Sequence, residues 1–358
     1  MDPATLVPTP DTIPVAWGWF QFLLMLTFVL HLLVMNAMLG SGIIALATHL
    51  THPGGSPAIC RLTAGKLTYL IAFAVNFGVA PLLFLQVLYG QFLYTSSVLM
   101  AWHWLAVVGL LILAYASAYV YSHNYKPLGS GRCGVLWLVV APLLLIGFIF
   151  SNNMTLMLHP ETWRHYFDHP TGTLLNLSDP ILIPGYLHAV VASVAIGGLF
   201  LALVARFQRH DNTRNAEKQI ATGLRWFSIA TLVQLWIGAW LLGAQPDPVR
   251  AFLLGGSPLA ATLLALSVVG GLTAVGLAFS HKLLPTVGVT VLTVVLMALV
   301  RDLMRRAYLA PYFSPADLSV AQQTQYGLLA LFFVLLLATL ATIIYMLRLA
   351  AVANREVR

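Results

Sequence analysis

The sequence predicts an all-α protein: a polytopic membrane bundle of about nine transmembrane helices. Of its 358 residues, 59% are hydrophobic and only 8% are charged, whereas about a quarter of the residues in a soluble domain are charged. The apolar runs are long and continuous and do not alternate with period two, which favours helices over the strands of a membrane barrel. Helices also satisfy their own backbone groups, as lipid requires.

Apolar windows of roughly 20 residues, the length needed to cross a bilayer, place the helices along the chain. The predicted spans are 15–49, 66–98, 101–122, 133–151, 181–205, 217–243, 258–280, 284–304 and 324–348. We expect one transmembrane domain over residues 1–358, in which residues 15–205 hold the first five helices and 206–358 the last four.

Basic residues in the short loops predict the orientation of the bundle, because Lys and Arg accumulate on the cytoplasmic side of a membrane. They occur in alternate loops: Arg61, Lys66, Lys126, Arg132, Arg206, Lys218, Lys282 and Arg348. The N-terminus is therefore expected outside and the C-terminus inside. The first residues lack the basic segment of a cleavable signal peptide, so none is expected. The net charge of +7 sets topology and does not indicate a nucleic-acid partner.

The two cysteines, Cys60 and Cys133, fall in different loops on the cytoplasmic side of this topology. That compartment suits free thiols. No CxxC or CxxCH motif occurs, so the sequence indicates neither a zinc site nor covalently attached haem c.

The first apolar run, residues 15–50, contains no Asp, Glu, Lys or Arg, and His31 lies near its middle. An imidazole at that depth has no water to bond, and polar groups inside a membrane usually face a bundle interior, a partner or a cofactor. Two interpretations are open: a hydrogen bond to a neighbouring helix, or axial ligation of haem iron.

Three further polar residues lie in or near the predicted spans. His188 is followed by small residues that would let a helix backbone or a flat macrocycle approach closely. His103 stands between two tryptophans, so it belongs either to an interfacial aromatic belt or to a ligand set. Gln86 is a polar group expected to be buried in the second span.

Arginines at the outer end of the eighth span contradict the positive-inside rule; they are Arg301, Arg305 and Arg306. Haem propionates would pair with them, because the guanidinium group suits bidentate carboxylate binding. Lipid phosphate, or a local ion pair with Asp302, is the alternative. Together with the histidines in the outer half and middle of the bundle, the arginines fit a b-type haem held by axial ligands and propionate anchors.

The longest outer loop, predicted over residues 152–180, contains His159, His165 and His169. Three histidines in one loop could bind a metal ion. Their spacing matches no standard ligand pattern, which favours structural or surface roles.

Five stretches match the pattern of one family: HLLVMNAMLG, NFGVAPLLFLQVLYGQ, SNNMTLMLHP, YLHAVVASVAIGGLF and DLMRRAY. Together they resemble subunit I of the cytochrome bd-type quinol oxidases, best over residues 20–205. The resemblance places His31 at a haem-ligating position and His188 at the ligand of the low-spin haem. Gln86 stands where the family has a glutamate. Asp302 stands for a haem-ligating glutamate and Arg305 for the arginine that follows it.

The sequence also departs from the family. The seventh span lacks the methionine that completes the low-spin haem, and the third span lacks the family's acidic residues. The long quinol-binding loop is reduced to GAQPDPVRAFLLGGS. Oxygen reduction needs protons delivered to a buried site, so these departures favour electron transfer without oxygen chemistry.

The resemblance thus implies a haem b-containing, quinol-oxidising electron-transfer subunit in the inner membrane of a prokaryote. It would exchange electrons between membrane quinol and a redox partner on the outer face, such as a c-type cytochrome, within a lipid-embedded respiratory complex. The expected iron ligands are His31, His188 and His103, and the other expected cofactor contacts are Asp302, Arg301, Arg305, Arg306 and Gln86. One alternative is an oxygen-reducing, bd-like oxidase subunit. The other is a cofactor-free transporter or structural subunit, although we find no internal repeat of the kind common in transporters.

Overall fold

The computed structural model describes residues 3–52, 55, 57–168, 170–207 and 213–356. Over these ranges the chain is helical, without a regular strand, and an isolated bridge pairs Ile13 with Val320. Eight of the described helices are long and apolar enough to cross a membrane. The chain is therefore a multi-pass helical membrane protein, as its composition predicts.

Eleven α-helices follow one another along the described chain. They are α1 (Trp17–Thr51), α2 (Ala58–Ala64), α3 (Leu67–Leu99), α4 (Ala101–His123), α5 (Arg132–Leu158), α6 (Leu182–Phe207), α7 (Thr213–Gly243), α8 (Asp247–Ala251), α9 (Pro258–Phe279), α10 (Leu283–Leu309) and α11 (Tyr326–Glu356). The eight candidate spans are all of these except α2, α8 and α11.

The ninth predicted span coincides with α11, whose described apolar part, Tyr326–Thr339, is shorter than the other candidate spans. Two aromatic contacts join α11 to the rest of the bundle. Phe332 packs edge-on against Phe84 of α3, and Phe333 packs edge-on against Trp19 of α1. This helix therefore lies over the seam between α1 and α3.

Helix α5 corrects one predicted boundary, because the loop expected to begin at residue 152 begins only after Leu158. Asn152 and Asn153 are both completely buried. The Asn153 amide donates to the Ser96 hydroxyl over 3.2 Å, and the Asn152 amide oxygen accepts from the Asn176 backbone N–H over 3.0 Å. These polar residues resembled a loop in the sequence, but inside the bundle each amide has a hydrogen-bond partner on another element.

Helix α1 is the centre of the arrangement, since it packs against α3, α5, α6 and α10. This position explains why it carries no charged side chain. Helix α6 pairs closely with α7, α9 with α10, and α4 with α5. A buried cluster that includes Ile44, Ile71, Tyr121 and Leu136 fills the space between α1, α3, α4 and α5.

Glycines let the backbones of α1, α6 and α7 touch. A Cβ atom on Gly40 of α1 would collide with the Ser193 carbonyl oxygen of α6, and one on Gly197 would collide with the Gly40 backbone. A Cβ atom on Gly198 would lie 2.6 Å from the Gly223 carbonyl oxygen of α7. The small residues that follow His188 in the sequence therefore serve helix–helix packing, as in other membrane bundles.

The Gly40 contact predicts a clear difference between two alanine substitutions. Gly40→Ala is expected to lower stability by about 1–3 kcal/mol, because the α1 and α6 backbones must separate. Gly109→Ala, in α4, is the matched control: its Cβ would meet nothing within 4 Å in the described part of the chain, and alanine favours a helix. Thermal unfolding midpoints in detergent compare the two, and equal midpoints would contradict the tight contact.

Loops from four parts of the chain meet at one end of the bundle, which we call the N-terminal end; they are residues 3–16, 159–181, 244–257 and 310–325. The Ile13 N–H donates to the Ser319 carbonyl over 2.9 Å, and the Leu174 N–H donates to the Leu99 carbonyl over 3.0 Å. Both cysteines are free thiols at the opposite end, but neither lies in a loop as predicted: Cys60 is in α2 and Cys133 is in the first turn of α5. Burial raises the pKa of the Cys60 thiol to about 12.

Candidate cofactor site

His31 lies on α1 against α3, with its ring over a glycine. Its Nδ1 is 3.0 Å from the Ala74 carbonyl oxygen, and a Cβ atom on Gly78 would lie only 2.9 Å from its Cε1. Because a carbonyl can only accept, Nδ1 carries the proton and Nε2 keeps its lone pair. A backbone carbonyl on one ring nitrogen is the usual way in which a histidine is oriented to bind metal through the other.

His188, on α6, packs against a glycine of α7, as His31 packs against a glycine of α3. Its Nε2 is 3.2 Å from the side-chain amide of Gln234, and a Cβ atom on Gly238 would lie 3.3 Å from its Cε1. Its Nδ1 is buried and has no hydrogen-bond partner among the described residues. An amide nitrogen can only donate, so His188 Nε2 accepts this hydrogen bond and Nδ1 carries the proton of the neutral ring.

Each of the three arginines of α10 lies over a different aromatic ring. The Arg301 guanidinium lies 4.8 Å from the ring centroid of Phe28, on α1. The Arg305 guanidinium lies 5.2 Å from that of Tyr89, on α3, and the Arg306 guanidinium lies 5.4 Å from that of Trp17. Phe28 lies three residues before His31 and so shares a side of α1 with it. Arg301 therefore lies on the His31 side of the place where α1, α3 and α10 meet, whereas Arg305 and Arg306 lie further towards the start of α1.

Asp302 is held by its own helix. Its Oδ1 accepts from Arg305 Nη1 over 3.2 Å and its Oδ2 accepts from Arg306 Nε over 3.0 Å. The aspartate and Arg305 are buried, whereas the Arg306 side chain is 34% exposed. The local ion pair, one of the alternatives drawn from the sequence, is thus present. Asp302 would have to release an arginine before it could bind iron, but Arg301 has no carboxylate partner within the described chain.

The other two predicted site residues lie apart from this group. His103 is in the first turn of α4, a helix that packs on α3 and α5, and its Nδ1 is buried without a partner in the described ranges. Gln86 lies on the exposed side of α3, so the expectation that it is buried is wrong. Its neighbours Leu85 and Leu88 occupy the inward face of that helix.

The sequence did not predict one cluster at the N-terminal end, which consists of His159, Glu161 and Asp179. The His159 ring lies between two carboxylates, with Glu161 Oε1 2.7 Å from Nδ1 and Asp179 Oδ2 3.4 Å from Nε2. The ring also packs edge-on against Tyr308 of α10, at 5.2 Å between centroids. The spacing of these residues in the chain gives no signal of the contact; only the polarity of the 159–180 segment hinted at it.

Of the remaining loop histidines, His165 does not join this cluster. His165 is exposed and lies 3.7 Å from the Asp168 carboxylate, and His169 is outside the described residues. Over the described ranges, no group of three or more His, Cys, Asp and Glu side chains is arranged to hold a metal ion.

Two of the predicted ligands, His31 and His188, have the imidazole side chain that could bind the iron of the haem implied by the resemblance. His31 presents a nitrogen with a free lone pair, and the lone pair of His188 Nε2 would become available if Gln234 turned away. Arg301, unpaired by carboxylates in those ranges, could anchor a propionate. Both Asp302 oxygens are already used.

No protein-family model matches the chain, and a search of curated proteins found no match.

Proposed function

We propose that the protein is a haem b-containing membrane subunit that exchanges electrons between membrane quinol and a redox partner at the N-terminal end of the bundle. In this proposal the N-terminal end faces the outside of a prokaryotic inner membrane. The partner, such as a c-type cytochrome, docks there, and further subunits complete a respiratory complex. The haem supplies one-electron chemistry, while the protein supplies ligation, orientation and a low-dielectric surrounding.

One observation carries the proposal: the hydrogen bond between His31 Nδ1 and the Ala74 carbonyl. It gives a direction to the ring and leaves Nε2 as a ligand atom, in a helix without any charged residue. The arginines at the α1–α3–α10 junction add the positive charge that propionates need. His188 Nε2, once released from the Gln234 amide, would provide a second ligand atom on a different pair of helices.

His188→Ala is expected to remove the absorbance of one haem, because its nitrogen would no longer ligate iron. The control is Gln234→Ala, which removes the neighbour of His188 but leaves the imidazole in place and should retain haem. Visible spectra and haem content of the two purified variants give the comparison. An unchanged spectrum in His188→Ala would make that residue a packing residue of the α6–α7 interface.

The purified protein itself tests the proposal against its alternatives. A Soret band with b-type α bands excludes a cofactor-free transporter or structural subunit, and quinol-driven reduction of that haem supports electron transfer. Oxygen consumption with quinol as the donor would instead identify the oxygen-reducing alternative.

A further inference from the structure

The His159 cluster forms a row of titratable groups that runs from the protein interior to its surface. Side-chain exposure increases along the row, from 3% for Asp179 to 18% for His159 and 45% for Glu161. Both imidazole nitrogens face a carboxylate oxygen. Nδ1 is hydrogen-bonded to Glu161, whereas Nε2 lies at ion-pair distance from Asp179 without a hydrogen bond to it, so only the protonated ring attracts both carboxylates.

The surrounding residues fix the two carboxylates in place. Asp179 Oδ1 accepts from the Ile181 N–H and Oδ2 accepts from the Asn176 amide, both over 2.9 Å. Glu161 Oε2 accepts from the Tyr312 hydroxyl over 3.3 Å. The other titratable neighbour is Tyr308, whose hydroxyl donates to the Gln245 amide oxygen over 2.8 Å. The geometry therefore does not depend on a mobile side chain.

The row adjoins the candidate cofactor site. Tyr308, whose ring packs on His159, follows Arg305 by three residues and so lies one turn further along α10. A group bound near the arginines would therefore be about one helical turn from the inner end of the row. If electrons and protons were released together near the arginines, the electrons could pass to the bound group and the protons to the row of titratable side chains.

The environment suits proton uptake at Asp179 and proton release at Glu161. Burial raises the pKa of Asp179, so this carboxylate accepts a proton more readily than an exposed aspartate. Burial opposes ionisation of Glu161 too, but the hydrogen bonds from His159, Tyr312 and its own backbone, together with the charge of His159, outweigh burial and lower the pKa of Glu161. Although burial works against it, the hydrogen bond to Glu161 and the charge of Asp179 raise the pKa of His159.

We propose that Asp179, His159 and Glu161 form a proton relay that carries the protons of oxidised quinol to the solvent at the N-terminal end. The inference rests on the proposed function. Oxidation of one quinol breaks two O–H bonds and gives a quinone, two electrons and two protons. A haem held by the proposed ligands would supply the one-electron acceptor. Each proton passes to the Asp179 carboxylate, then to His159 Nε2, while the proton on Nδ1 leaves through Glu161.

The test measures the rate at which duroquinol reduces the haem of the full-length protein in detergent, across a range of pH. His159→Gln and Asp179→Asn are expected to slow this rate by about tenfold or more, since positioned proton transfer contributes at least that much. Haem content should stay unchanged. In the wild type the rate should rise as the pH passes through the pKa of His159, which is raised above 6.5. The reason is that the ring must lose a proton before it can accept another. This rise should be absent in His159→Gln.

His165→Ala is the matched control, since it removes an exposed histidine from the short helical segment that follows His159, Pro160–Phe167. Its rate and pH profile should equal those of the wild type. Added imidazole should restore the rate of His159→Ala, which a purely structural role would not allow. A normal rate and pH profile in His159→Gln, or no rescue of His159→Ala, would overturn the relay. A wild-type protein whose haem is not reduced by duroquinol would overturn the proposed function instead.

Discussion

His31→Ala is expected to remove one haem from the protein while the chain still inserts and folds. The reason is the geometry of the ring. The Ala74 carbonyl accepts a hydrogen bond from Nδ1–H, and Nε2 is the atom that would bind iron. Alanine is favourable in a helix, and the Gly78 surface against which the ring packs belongs to a neighbouring helix. We therefore expect haem loss without loss of the bundle, measured as haem per protein and as monodisperse yield.

His49→Ala is the control for this prediction, because His49 is a second buried histidine on the same helix. Its Nε2 lies 3.0 Å from the Tyr121 hydroxyl, near the end of α1 that is distant from the arginines. Its loss should cost stability through that hydrogen bond, about 0.5–1.5 kcal/mol, but no haem. Full haem content in His31→Ala, or equal haem loss in both variants, would contradict a ligand role for His31.

Asp302→Asn is expected to give the largest loss of stability among single polar changes in α10. The substitution leaves the buried Arg305 guanidinium without its counter-charge, and breaking such a buried pair typically costs about 3–5 kcal/mol. Asp302 and Arg305 are 5% and 8% exposed, so solvent screens their interaction little. The midpoint of thermal unfolding in detergent should fall accordingly.

The chain supplies a matched control in Asp247→Asn. Asp247 and Arg250 have the same spacing of three residues, but their side chains are 86% and 38% exposed. A surface pair of this kind contributes little, so the midpoint should hardly move. Equal effects of the two substitutions would show that the Asp302 pair is not buried in the working protein. A changed iron coordination in Asp302→Asn would instead restore Asp302 as a ligand.

The fold was largely predictable because length and polarity alone determine a membrane helix. Helix α1 begins and ends within two residues of its predicted bounds. The largest error at an internal boundary concerned the end of α5, where the asparagines look like loop residues in the sequence. Their hydrogen-bond partners, Ser96 and Asn176, lie on other elements, which local polarity cannot reveal.

The candidate site was predictable in its side chains but not in its contacts. His31, His188 and the arginines are conspicuous because polar groups are rare in such helices. The groups that orient them are a backbone carbonyl at Ala74 and an amide at Gln234, neither of which has a pattern in the sequence. The His159 cluster joins positions 159, 179 and 308, so only the folding of the chain brings them together.

The measurement that tests the account most directly is a reduced-minus-oxidised visible spectrum of the full-length protein purified from haem-supplied cells, recorded after quinol is added. The account predicts a Soret band and b-type α bands that quinol reduces, and the loss of one set of bands in His31→Ala. A wild-type protein without haem absorbance would contradict the account. So would a wild-type protein whose haem stays oxidised after quinol is added.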